Sequence, residues 1–331
     1  MSGHSTPHQS SPHTPLIADS PNHCSSPDAA SRSVDSTVYE FQEENGRTYH
    51  GYKAGSYMYP NDETEIERLD RQHAMYKHAF KGRNYFAPLS KPRSILDIGT
   101  GTGIWAIEMG DEFPNATIHG TDLSPIQPTE VPENVNFFID DATEEDWAIA
   151  PASFDYIHTR LLLGCFDKFR DVIRKGFYYT SPGGYMESQE LLPTPFCDDK
   201  TMPNDWPLIE WSKHIDQAGN LANRPVRIAH KLKRWYEEAG FVDVQEKIIR
   251  MPVNGWPKDK HAKTVGKLSE ANFIEGLGGF TMAPLFRNFG WNKTEIEVFL
   301  VNVRKAISDR HVHAYFKVYV VWGRRPKKPR S

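Results

Sequence analysis

The stretch "SILDIGTGTGIW", Ser94 to Trp105, decides the fold. Its apolar start, Ser94 to Ile98, has the length and content of a buried strand, and "GIWAIEMGDEF" continues as a helix stopped by Pro114. Between them glycines fall at alternate positions, Gly99, Gly101 and Gly103. A glycine turn between strand and helix lets the backbone approach a bound nucleotide where side chains would block it. Which nucleotide is the question.

Three loops of this kind compete. A phosphate loop needs Lys followed by Ser or Thr after the last glycine, and Ile104 and Trp105 stand there instead, which excludes it. The dinucleotide pattern GxGxxG, begun at Gly99, meets Ile104 where its third glycine belongs; begun at Gly101 it runs Gly101, Gly103, Ala106, which is tolerated. Asp122, about 20 residues on, suits a ribose in either reading and decides nothing. Asp97 discriminates. A carboxylate two residues before the first glycine repels a pyrophosphate, but it favours S-adenosylmethionine, which carries an ammonium and a sulfonium and no phosphate. The competing structural role for Asp97 is to cap loop amides.

Outward from this turn the chain alternates. "ATIHGTD" reads as a second strand ending at Asp122, "VNFFIDDA" as a third ending near Asp141, and "FDYIHTR" as a fourth ending near Arg160. A helix, a Pro-Gly-Gly turn and a fifth strand follow in "FRDVIRKGFYYTSPGGYMESQEL". Short strands alternating with helices imply parallel pairing, hence a doubly wound α/β sheet with its ligand at the strands' carboxyl ends. After Glu190 the alternation pauses, then resumes with the helix "AHKLKRWYEEAG" and the strand "VDVQEKIIRMPV". Residues 254–310 read as mostly helical, and "YFKVYVVWGRRP" supplies a last strand. Upstream, "YPNDETEIERLDRQHAMYKHAF" carries a helix start: Asp62 caps, Glu65 closes a capping box, and Ile66, Leu69, His73, Tyr76 and Phe80 share one face.

At the carboxyl ends, Asp122 can accept from both ribose hydroxyls. Asp141 is placed to accept from the adenine amine while the Ala142 amide donates to the ring; Asp140 competes for the first role. These motifs carry a resemblance. "LDIGTGTGIWAIEMGDEFPNA", "GTDLSPIQP" and "FDYIHTRLL" resemble class I S-adenosylmethionine methyltransferases, and with "YPNDETEIERLDRQH", "ESQE" and "HAYFKVYVVWGRRP" the chain resembles the fungal LaeA-like regulators of secondary metabolism over nearly all of residues 45–326. The resemblance implies a Rossmann-like seven-stranded sheet with its last strand antiparallel, an N-terminal capping helix and helical insertions. It also implies cofactor contacts from Asp97, Gly99, Gly101, Gly103, Asp122, Leu123, Asp141 and Ala142, and regulatory protein partners in a velvet-type complex. The tail and the "FIDDATEEDW" loop depart from the group's founding regulator, which leaves room for a paralogue with another client.

The implied organisation is a disordered tail over 1–37, a cap segment over 38–92, a methyltransferase domain over 93–323 with insertions at about 191–227 and 254–310, and a basic tail over 324–331. Five Ser/Thr-Pro dipeptides mark the first tail as a substrate for proline-directed phosphorylation or as a plain solubilising segment. "RRPKKPR", with five basic residues in seven, is a nuclear import signal or an inert basic end. A net charge of −4 gives no global pull toward nucleic acid or anionic membrane, and no apolar run reaches membrane-spanning length. A location in nucleus and cytoplasm is expected. Three scattered cysteines, Cys24, Cys165 and Cys197, match neither a disulfide framework nor a metal site.

Methyl transfer is an in-line displacement that asks the protein mainly to align and desolvate. His158 is the candidate for shaping or deprotonating an acceptor, against an equally open structural role. Arg68 and His73 on the capping helix either close over the cofactor, Arg68 meeting its carboxylate, or serve surface or helix-to-sheet pairing. Glu187 is a weaker acid/base candidate or a solvated strand end. Tyr49, His50, Tyr52 and Tyr57 lid the pocket or pack the N-terminal segment onto the core. Three functions follow: a regulatory methyltransferase, a pathway enzyme methylating a small metabolite, and a binding module without turnover. An enclosed apolar pocket would favour the second.

Overall fold

The computed structural model describes residues 40–327 apart from 54, 56 and 148. The N-terminal tail expected over 1–37 and the last four residues of the basic tail lie outside the described residues. A small hairpin, β1 (Gln42–Glu44) and β2 (Arg47–Tyr49), precedes α1 (Glu63–Ala79). Seven further strands form one sheet: β3 (Ser94–Ile98), β4 (Thr117–Asp122), β5 (Val135–Ile139), β6 (Phe154–Arg160), β7 (Thr180–Phe196), β8 (Val242–Pro252) and β9 (Tyr315–Arg324). Their order is β5-β4-β3-β6-β7-β9-β8, with the first five parallel and β9 antiparallel to both neighbours. That is the sheet expected from the sequence. The chain steps outward from β3 in one direction through β4 and β5, then returns to β6 on the other side, and ligands sit above such a reversal.

Local chemistry explains the elements that frame the site. Ile95, Leu96 and Ile98 of β3 are all buried, as a strand covered on both faces by helices requires. α2 (Ile104–Glu112) follows the glycine turn and buries Trp105, Ala106 and Met109 against the sheet. α1 begins where expected, with the Asp62 carboxylate accepting from the Glu65 amide at 3.1 Å. The second half of the expected capping box is absent, because the Glu65 side chain turns to Arg68 instead.

The remaining helices build a second layer. α4 (Pro207–Leu221), α6 (Lys260–Phe289) and α7 (Lys293–Ser308) share one apolar core with α1, in which Met75 and Tyr76 meet Trp211, Ile215, Leu277, Leu285, Leu300 and Val303, over Met251 of β8 and Phe316 of β9. Two boundaries differ from expectation. The Pro-Gly-Gly segment is an irregularity inside β7, where pairing shifts and Gly183 takes a φ of +90°, and β7 absorbs residues 191–196 of the expected insertion. α4 lies in the expected insertion at 191–227 and opens on Pro207, since in the first turn of a helix a missing N–H costs nothing. α3 (Phe169–Tyr179) and α5 (Leu232–Ala239) share a second apolar cluster through Phe169, Val172, Ile173, Leu232 and Tyr236, and α5 closes the run leading into β8.

Candidate functional site

The carboxyl ends of β3, β4, β5 and β6 open onto one cavity. Asp97, Gly99, Gly101, Asp122, Leu123, Asp140, Asp141, Ala142 and His158 all line it; Gly103, also expected at the ligand, does not. The glycines are there for different reasons. A side chain at Gly103, φ +79°, would run into the Phe137 ring at 2.3 Å, so that glycine serves packing. At Gly101, φ +59°, the nearest atom to an added Cβ is a Leu69 methyl at 3.7 Å, so here the bare backbone faces open space.

The acids are held in distinct ways. Asp97, buried at the end of β3, accepts from the Thr100 hydroxyl at 2.7 Å and pairs with His158 Nδ1 at 2.8 Å. A carboxylate only accepts, so this contact places the imidazole proton on Nδ1 and leaves Nε2, which has no partner among the described residues. The His158 ring lies flat on Trp105, centroids 3.8 Å apart and planes 6° apart. His158 is thus clamped between an acid and an indole, and it orients Asp97. Asp122 accepts from the amides of Gly101 at 2.8 Å and Ser124 at 3.0 Å; burial nonetheless pushes its carboxyl up to about 6.

The rival acids after β5 separate clearly. Lys53 Nζ reaches Asp141 at 2.6 Å and Glu144 at 2.9 Å, while the Thr143 amide and hydroxyl take the other Asp141 oxygen. Burial opposes ionisation of Asp141, but these donors prevail and hold its carboxyl below the ordinary range. Among the described residues the Asp140 carboxylate accepts only from the Asp141 amide, at 2.9 Å, and burial raises its carboxyl.

Among the cations, Arg68 is not free to meet a ligand. Glu65 grips it with both oxygens at 2.9 and 2.6 Å, Asn272 accepts a third bond at 2.8 Å, and the guanidinium lies over Phe280. Arg160, which lines the cavity with it, is the freer cation. Register pairs Asp97 with His158, and side chains alternate along a strand, so Arg160 shares the sheet face of both. Among the described residues its guanidinium makes one hydrogen bond, to His73 Nδ1 at 3.0 Å, and no carboxylate comes within ion-pair reach. Burial and the Arg160 charge together lower the His73 imidazole to about 4, with Nε2 3.1 Å from Glu108. Sequence reading passed over Arg160, although its place two residues past His158 was a usable signal.

Two further expectations change. Glu187 is neither solvated nor at the cavity: it is fully buried and accepts from the amides of Phe86 and Ala87 and from Gln189. Of the aromatic run, Tyr57 lines the cavity together with Tyr59, Tyr52 reaches Glu144 at 3.2 Å, and Tyr49 packs beneath Arg287. The first two residues of the basic tail are built into the fold, Arg324 pairing with Asp243 and Arg325 donating to the carbonyls of Tyr178 and Thr180. No helix of the described residues is long and apolar enough to cross a membrane.

Comparisons with known proteins fit this geometry. A methyltransferase domain family matches residues 71–246. The chain is 38% identical over 291 residues to the secondary metabolism regulator LAE1 of Cochliobolus heterostrophus, spanning 86% of this chain and 95% of that protein. It is 38% identical over 301 residues to methyltransferase pytC of Aspergillus terreus, spanning 90% and 92%. To the secondary metabolism regulator laeA of Monascus pilosus it is 34% identical over 309 residues, spanning 92% and 83%.

Proposed function

The chain belongs to the LaeA-like family of S-adenosylmethionine-dependent methyltransferases, and on that premise we propose how its residues hold the cofactor and what process it serves. The observation that carries the reading is a pair of opposite charges on adjacent strands, Asp97 and Arg160, facing the same cavity two residues apart in register along the sheet. Such a pair suits the ammonium and carboxylate of a methionyl group. Asp122 accepts from the ribose hydroxyls, and the bare backbone at Gly101 admits them. Asp140, with its carboxylate uncommitted, takes the adenine amine in place of Asp141, and the Ala142 amide donates to the ring. The donor set fits S-adenosylmethionine and gives no phosphate a cradle.

When bound, that cofactor supplies an electrophilic methyl group. The protein's own part is to fix the methionyl end through Asp97 and Arg160, to brace Asp97 through His158 and Trp105, and to exclude water. His158 acts here as a positioning residue. The process served is fungal secondary metabolism, in which the relatives in Cochliobolus and Monascus are named as regulators. Partnership in a velvet-type complex and residence in nucleus and cytoplasm go with that reading; a fluorescent fusion lacking residues 326–331, which leaves Arg324 and Arg325 in place, should lose nuclear enrichment. Isothermal titration tests the core of the proposal. S-adenosylmethionine should bind and NADH should not; the reverse result ends it. A second reading, a pathway enzyme acting on a small metabolite, is favoured by the apolar walls of the cavity beyond Arg160.

A further inference from the structure

We infer that the far half of the cavity is a chamber for a small, ring-bearing, largely apolar acceptor, so that the methyl group goes to a metabolite-sized molecule and not to a protein side chain. The inference rests on the near half being the cofactor site. One cavity runs without interruption from Asp97 and Gly101 to Met75, Tyr76, Trp211, Phe273, Phe280 and Phe316. These walls come from α1, α4, α6 and β9, and none belongs to the strand ends that face the cofactor.

The chemistry of the walls selects the occupant. Their polar atoms are mostly spent on each other: Trp211 donates to the Thr281 hydroxyl at 2.9 Å, and Arg68 is taken by Glu65 and Asn272. What remains facing inward is aromatic, with Trp211 against Phe273 at 5.0 Å and Tyr59 against Phe280 at 6.0 Å, both edge to face. A ring entering this space extends the same packing. A few polar groups stay available, since Tyr57, Tyr59 and Gln72 line the cavity and their side chains have no hydrogen-bond partner among the described residues. An apolar enclosure with a few convergent polar groups is how proteins hold small molecules.

A protein substrate meets the opposite situation. Its backbone amides would enter an apolar wall with nothing to pair them. A lysine or arginine acceptor would bring its charge to a wall whose carboxylate, Glu65, is already committed to Arg68. In the transfer, a lone pair on an acceptor oxygen or nitrogen forms the new bond to the methyl carbon as the carbon–sulfur bond breaks with its electrons going to sulfur. The acceptor's proton, where it carries one, leaves to water.

The test uses the full chain and 1-anilinonaphthalene-8-sulfonate as a flat aromatic probe. Leu191→Trp on β7 and Ser269→Phe on α6 each add a ring to the cavity lining from a different element, and neither residue is among the cofactor contacts assigned above. The unmodified protein should bind the probe saturably. Each filled variant that melts cooperatively should bind it at least about tenfold more weakly while keeping S-adenosylmethionine affinity within about twofold. With methyl-tritiated cofactor and a native fungal extract, label should appear in the solvent-extractable small-molecule fraction and vanish in the filled variants. No saturable probe binding by the unmodified protein overturns the inference, as does label on protein that the filled variants retain. Loss of cofactor binding by the unmodified protein would instead sink the cofactor assignment, and the probe would still report on the chamber.

Discussion

Asp97 and Arg68 line the same cavity, are both almost fully buried, and have opposite fates. Asp97 is steadied by a hydroxyl and an imidazole, Thr100 and His158, which leave its charge uncancelled for a ligand. Arg68 is cancelled by a carboxylate and saturated by an amide, so its charge is spent inside the fold. The contrast extends to the surroundings. Near the strand ends, backbone amides and short side chains hold acids in place; in the helical layer, paired charges are sealed under aromatic rings. Substitutions in the first region should therefore show up in cofactor affinity, and substitutions in the second in stability.

The largest effect should come from Arg68→Met. Removing one partner of a buried pair strands Glu65 as an unpaired buried charge, which costs roughly 3–5 kcal/mol. Thermal or denaturant unfolding measures this, while S-adenosylmethionine affinity of the folded fraction should change little. A tenfold loss of affinity at unchanged stability would hand Arg68 back to the cofactor. Next comes Asp97→Ala. Losing the counter-charge for the ammonium and unbracing His158 together should weaken cofactor binding about 100-fold, near 2.7 kcal/mol, by isothermal titration. Binding like that of the unmodified protein would break the comparison at its polar end.

Arg160→Met follows, with an expected loss of about tenfold in cofactor affinity from one charge-assisted contact. Its melting temperature should hold or rise, because a half-buried guanidinium without a carboxylate partner is a cost to the folded chain. A fall in melting temperature with affinity intact would make Arg160 a second Arg68. Probe binding in the chamber should be unaffected in that variant, which separates the two halves of the cavity experimentally.

How much of this was legible depends on how far apart in sequence the cause lies. β3, β4 and β6 were readable because their apolar runs and bounding glycines and acids are local signals, and the acids at their ends were found for the same reason. Of the two roles open to Arg68 the sequence could not choose pairing over the cofactor, because its fate is set by Asn272, 204 residues away, as well as by Glu65 on its own helix. The pairing of Asp141 with Lys53, 88 residues upstream, was likewise out of reach of local signals, and it is what distinguishes Asp141 from Asp140 in the fold. The aromatic chamber was invisible for a related reason. Its rings sit on helices whose apolar faces look like ordinary core, and only packing shows which of them stop short of one another.

The smallest predicted effect is on pH, and it sharpens the polar side of the comparison. Burial raises Asp122 from an ordinary 3.8 to about 6 in the folded protein, against the pull of the Ser124 and Gly101 amides. The sign for the free protein follows from proton binding: between those values the folded state holds the proton and the unfolded state does not, so this group's contribution to stability is full below about 4 and is lost as pH rises through about 6. Cofactor affinity should run the other way. The ionised carboxylate is the better acceptor for ribose hydroxyls, and its population falls about fourfold between pH 7 and pH 5.5 for a group titrating near 6. Titrations across that interval should show affinity falling severalfold on acidification, and Asp122→Asn should flatten both dependences. A pH-independent affinity in the unmodified protein would mean that the amides alone, and not the charge, hold the ribose.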